Sequence, residues 1–174
     1  DADGTIVLEE DLSDQPRRRV RIDYDVRLPA ALDLRAHTAS GDLWIEGVSG
    51  THQVSTASGD ITIADVRDAL TLSSKSGDVV LGAAEGNVTV SILSGDISVN
   101  GFSGELHATT KSGDLRVEGA SGQFTLKTLS GDVNVDVDAL EGPLMVSAVS
   151  GSVRVSLPDQ VAATLRAKTV AGQI

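Results

Sequence analysis

Six aspartates recur at one interval: Asp42, Asp60, Asp78, Asp96, Asp114 and Asp132 each stand 18 residues apart. Carboxylates brought into one file could do chemistry. Like charges about 4.8 Å apart repel by roughly 1 kcal/mol per neighbour in water. A divalent cation would relieve that repulsion, because carboxylate oxygens are hard ligands. The competing reading is structural. A carboxylate that accepts hydrogen bonds from corner amides is stabilised without any metal.

The neighbouring residues favour the structural reading. Each aspartate closes a Ser-Gly-Asp triplet, and the preceding pairs are Ser40 and Gly41, Ser58 and Gly59, Ser76 and Gly77, Ser94 and Gly95, Ser112 and Gly113, and Ser130 and Gly131. Glycine supplies the positive φ of a tight corner. Serine and aspartate bond back to the corner backbone. We assign these serines and glycines as structural corners and keep the six aspartates as the alternative metal ligands. The Gly-Gly-x-Gly-x-Asp pattern of calcium-binding rolls, which also wind in 18-residue turns, is absent here, and that weighs against calcium-dependent folding.

Other chemistry is sparse. Six equivalent serines argue for a structural job rather than for a nucleophile. His37, His52 and His107 are scattered and have no repeated partner, which makes a shared metal site a poor reading. His37 and His107 are expected to point outward. His52 takes a slot held elsewhere by Leu70 or Val88 and is expected at a cap. The acidic group Asp136, Asp138 and Glu141 reads as a solvated loop, with a weak cation site as the sharper alternative. A solenoid enzyme acting on polysaccharides would need long grafted loops, and five consecutive 18-residue intervals leave no room for them. There is no cysteine, so disulfides and thiol catalysis are excluded. No phosphate-cradling loop follows a strand and opens a helix. The expectation is a non-enzymatic protein without a cofactor.

The elements that position these residues follow from the same period. Repeats are sought first because they decide the fold. Degenerate copies of the triplet, Ser150-Gly151-Ser152 and Ala171-Gly172-Gln173, follow at intervals of 20 and 21 residues. A second marker, Gly50, Asp68, Gly86, Gly104 and Gly122, holds another phase, and Gly142 is expected to continue it. Between the markers the sequence alternates with period two, as strands do. The apolar pairs are Leu43/Ile45, Ile61/Ile63, Val79/Leu81, Ile97/Val99, Leu115/Val117, Val133/Val135 and Val153/Val155 on one side. On the other they are Leu34/Ala36, Leu70/Leu72, Val88/Val90, Leu106/Ala108, Phe124/Leu126, Leu144/Val146 and Leu165/Ala167. No segment sustains a 3.6 period, so no helix is predicted.

A strand of five residues cannot bury its apolar face alone. Stacking each turn on the next pairs every backbone group and lines the apolar residues into continuous files. The reading is an all-β, parallel β-solenoid, flattened into two sheets and right-handed by the general crossover preference. Roughly eight turns at about 4.8 Å would give a rod about 38 Å long. A polar file, Thr38, Thr56, Ser74, Thr110, Thr128 and Thr169, precedes the serines and is interrupted by Ile92 and Ala148; stacked hydroxyls are expected to bond to one another. Residues 1–28 read as N-terminal cap strands that hide an open edge, and residues 29–174 as the solenoid. The chain opens at Asp1 without a methionine, as a processed or trimmed piece would. Ala171–Ile174 stops inside a corner, which would permit end-to-end self-association.

Composition sets bounds on partners. Aromatics make up 2% of the chain, Tyr24, Trp44, Phe102 and Phe124, and a thin core of stacked aliphatic residues needs no more. The formal net charge of -11 repels nucleic acid and anionic lipid. The run Arg17-Arg18-Arg19 is the exception and reads as edge protection. No stretch approaches the roughly 20 apolar residues of a membrane span, and no membrane insertion is expected. The outward hydroxyls Thr71/Ser73, Thr89/Ser91 and Thr125 resemble an ice-binding array, but His107, Lys127 and Met145 break it, and an ordinary soluble β-face is the better reading.

The lead-in Val20-Arg21-Ile22 through Val26-Arg27-Leu28-Pro29, followed by the triplets from Ser40 to Asp132, resembles the bacterial adhesin-like family of β-strand-repeat domains, a family of unknown function. The resemblance covers nearly the whole chain. It implies a β-solenoid that serves as a structural or interaction module at a bacterial cell envelope, with a protein or glycan partner. The turn at Ser150-Gly151-Ser152 departs from the pattern.

Overall fold

A computed structural model describes residues 31–158 and 164–174. The expected cap at residues 1–28, the arginine run within it and the lead-in strand lie outside the described residues. What is described is all β, in nine strands: β1 (Leu34–Thr38), β2 (Leu43–Thr56), β3 (Ile61–Ser76), β4 (Val79–Ser94), β5 (Ile97–Ser112), β6 (Leu115–Ser130), β7 (Val133–Ser150), β8 (Val153–Ser156) and β9 (Leu165–Ala171). They form one sheet in the order β1 to β8, with β9 also paired to β7, and every pair is parallel. The result is a β-solenoid of about seven turns of about 18 residues, where the sequence reading counted about eight.

The register is the sequence period made physical. Ile61 pairs with Val79 and Leu72 with Val90, each 18 residues on. Period-two alternation then sends every second residue inward, and six inward files result, five of them chiefly apolar and the sixth, through Thr56, Ser74, Ile92, Thr110, Thr128 and Ala148, largely hydroxyl-bearing. Ile61, Val79, Ile97, Leu115 and Val133 make one of them, and each of these residues is at most 1% exposed. Phe102 and Phe124 meet edge to face with centroids 6.2 Å apart, a favoured aromatic geometry. Phe102 lies between the small residues Ala84 and Ala120 in its file, which gives the ring its room.

One of those files was not foreseen. Val48, Val66, Ala84, Phe102, Ala120 and Val137 are buried on a short third side of each coil. It is bounded by two positive-φ positions rather than one. The first is Gly47, Asp65, Ala83, Gly101 and Gly119, with φ between 47° and 69°; the second is Gly50, Asp68, Gly86, Gly104 and Gly122, with φ between 83° and 131°. The strand runs through both, so one ladder of 14–18-residue strands bends around the core where two flat sheets were drawn. The earlier bend is hard to read because its residues are mixed.

Two further expectations are corrected. Gly142 does not continue the second marker: Gly122 pairs with Leu140, and the β6–β7 register shifts around this point to absorb the two extra residues. The polar file before the serines does not bond to itself. Thr56 and Ser74 donate to the carbonyls of Ser58 and Ser76, both at 3.1 Å. Thr110, Thr128 and Thr169 donate to the carbonyls of Gly95, Gly113 and Gly151 at 3.1–3.3 Å. A buried hydroxyl takes a backbone carbonyl within reach, the stronger acceptor, in preference to a neighbouring hydroxyl.

Candidate functional site

The Ser-Gly-Asp corners lie in register from coil to coil, and their aspartates are occupied. In each corner the amides before and after the aspartate continue the ladder. Gly77 donates to Ser94 O and Val79 to Asp96 O. The aspartate's own amide would then be orphaned, and orphaned amides are costly. The carboxylate of the previous coil meets it. Asp60 N donates to Asp42 Oδ1, Asp78 N to Asp60, Asp96 N to Asp78, Asp114 N to Asp96 and Asp132 N to Asp114, at 2.7–3.0 Å. Ser152 N continues the series onto Asp132 Oδ1 at 2.7 Å, so the degenerate turn still donates although it lacks the acid. Sequence reasoning placed each carboxylate on its own corner; the structure hands it to the next. Asp33 does the same at the other corner, accepting from Thr51 N at 2.8 Å.

The remaining sequence candidates do not converge. His37 is exposed and its Nδ1 lies 2.7 Å from Ser55 Oγ. His107 is exposed and its Nε2 lies 3.4 Å from Glu105. His52 is not at an open cap: it is 1% exposed, in the inward file between Leu34 and Leu70. Among the described residues no three His, Cys, Asp or Glu side chains are grouped so as to hold a metal ion. Thr71/Ser73 and Thr89/Ser91 do stack in register on the outer face, and His107 and Lys127 follow them in the same files. No helix of the described residues is long and apolar enough to cross a membrane.

The expected acidic loop is divided by the fold. Asp138 and Glu141 are exposed on the irregular part of β7, whereas Asp136 stands on a regular outer face that sequence reading passed over. There Arg116, Asn134 and Arg154 align in one file, and Asp136 aligns with Ser156 in the next. With Glu118 these side chains line a shallow groove of about 250 Å³. Arg116 is hydrogen-bonded to Glu118. Arg154 has no ion pair among the described residues, so its guanidinium fork faces the groove's polar wall without a fixed carboxylate. Such a fork suits planar acceptors and hydroxyl-rich ligands. The signal was present in the sequence as the outward partners of Val117, Val135 and Val155, but only the register joins residues 18 and then 20 positions apart.

No curated protein and no solved structure matches the chain. The family description of the Toastrack domain DUF4097, a β-repeat domain of unknown function, matches residues 21–174. The stacked, all-parallel coils and the span of that match lead to one conclusion: the chain belongs to the Toastrack DUF4097 family.

Proposed function

We propose that this chain is a non-enzymatic interaction module of the adhesin-like kind, which presents a rigid sheet face to a protein or glycan partner at a bacterial cell envelope. One observation carries the reading: the polar groups sit in fixed outward files at ladder spacing, with Arg116, Asn134, Arg154, Asp136 and Ser156 sharing one groove. A face whose backbone is pinned on both sides loses little conformational freedom on binding, and preorganisation of this kind favours affinity. The envelope setting rests on the resemblance to bacterial repeat domains. The test is a glycan array followed by titration of the best hit. Arg154→Ala is expected to weaken binding at least fivefold while the melting temperature holds. An array without any hit, together with a pull-down without a partner, would count against the reading.

The stacked aspartates keep a cation-binding alternative in view. With one oxygen of each carboxylate already engaged by an amide, the module reading expects no heat on calorimetric titration with calcium. Saturable heat with a rise in melting temperature would move the function to the aspartate edge.

A further inference from the structure

Among the described residues, His52 is the one whose buried side-chain nitrogens lack a hydrogen-bond partner. Its file continues as Leu70, Val88, Leu106, Phe124 and Leu144, all buried apolar residues. Both ring nitrogens are buried and neither has a hydrogen-bond partner. A buried polar group without a partner costs on the order of 1–3 kcal/mol, and a charged one costs more. A leucine here would continue the file at no such cost.

The charges around the ring are few. Asp33, just before β1, and Asp68, in β3, favour the imidazolium; desolvation is the larger effect and holds the ring below the ordinary histidine value. Arg35 and His37 on β1, Glu46 on β2, and Asp65, Arg67 and Lys75 on β3 are exposed on the outer side. Neither carboxylate that reaches His52 is placed to satisfy its nitrogens. Protonation therefore puts a charge into the core that only movement of a neighbouring coil can hydrate.

We propose that His52 makes the junction between β1 and β2 an acid-opened joint, in which uptake of a proton by the imidazole parts β1 from β2 and uncovers the edge of β2. The junction is the weaker one on either side of His52. β1 contributes five residues, against 16 in β3. The direction follows from linkage. A native ring that binds protons more weakly than the open one leaves stability complete above about pH 6.5 and withdraws it as the pH falls below that value, levelling off beneath the native pKa. For a single proton the opening equilibrium rises by up to tenfold per pH unit within that window.

Hydrogen exchange on the whole chain tests this. The amides of Leu32, Thr51 and Ala57 bond across β1–β2, to Ser49 O, Asp33 Oδ1 and Thr38 O. Their protection, corrected for intrinsic rates, is expected to fall at least tenfold between pH 7.5 and pH 5.0. Gly77 and Gly95, within the central coils, should keep theirs within twofold. His52→Leu should abolish the fall, and His52→Gln, uncharged at every pH, gives the same reading if the leucine variant does not fold. An equal fall in the variants, or none in the parent chain, overturns the proposal, as does an NMR titration in which the His52 ring protonates at or above the ordinary value.

Discussion

The two kinds of bend in each coil are held by different means. At the Ser-Gly-Asp corner, glycine lies directly over glycine. A Cβ on Gly95 would come 2.1 Å from Gly77 O, and one on Gly113 would come 2.0 Å from Gly95 O. The earlier bend of the short side is open. A Cβ on Gly47 would meet nothing within 4 Å, and on Gly101 nothing closer than 3.8 Å. The sequence follows the space. The tight corner is glycine in every described coil from Gly41 to Gly172, whereas the open bend carries Asp65 and Ala83 as well as glycine, all at positive φ. Positive φ alone does not require glycine here. At the Ser-Gly-Asp corner the added demand is contact with the backbone of the adjacent coil at φ of 117–156°, whereas Asp68 enters the other tight file at a φ of 83°.

Substitutions can break or sharpen that contrast. The largest effect is expected from Gly95→Ala, which meets a carbonyl and holds an L side chain at φ 139°. Strain and overpacking together should cost about 3–5 kcal/mol in urea unfolding, and a loss below about 1 kcal/mol would break the comparison. Next comes Asp96→Ala, which removes the acceptor for Asp114 N. A loss of about 1–2 kcal/mol is expected, with most of it restored in Asp96→Asn because the carboxamide oxygen still accepts. Equal losses in the two variants would show that charge rather than the amide contact matters at this corner. The smallest effect belongs to Gly101→Ala. Its φ of 68° is ordinary left-handed backbone with open space, so the loss should be about 1 kcal/mol, as read by the same denaturation midpoint.

Most of the fold was legible because the inter-coil register equals the spacing of the triplets, and a strict period needs no three-dimensional knowledge to detect. The short third side escaped because Gly47, Asp65, Ala83, Gly101 and Gly119 share a conformation and not a residue type. Gly142 misled for the converse reason: it matches the marker glycines in type, but Gly122 pairs with Leu140. The aspartates accept from an amide of the next coil and not of their own corner, since local turn chemistry cannot say which layer supplies the amide. The groove at Arg154 was hidden because its residues become neighbours only through a ladder that passes a two-residue insertion. His52 stood out in sequence as a misfit among Leu70 and Val88. That it is enclosed, rather than at an open end, is a property of β1 lying over it.

The open bend also tells where this scaffold accepts foreign sequence. A Cβ on Gly101 or Gly119 would meet nothing closer than 3.8 Å, and on the same side of the coil, away from the triplets, the two extra residues of β7 enter between Leu140, paired with Gly122, and Leu144, paired with Phe124, without unstacking the coils. Peptide segments grafted at Gly101 and Gly119 would therefore emerge from successive layers as a row of evenly pitched pegs, whereas the opposite edge, with no gap between layers, would tolerate none.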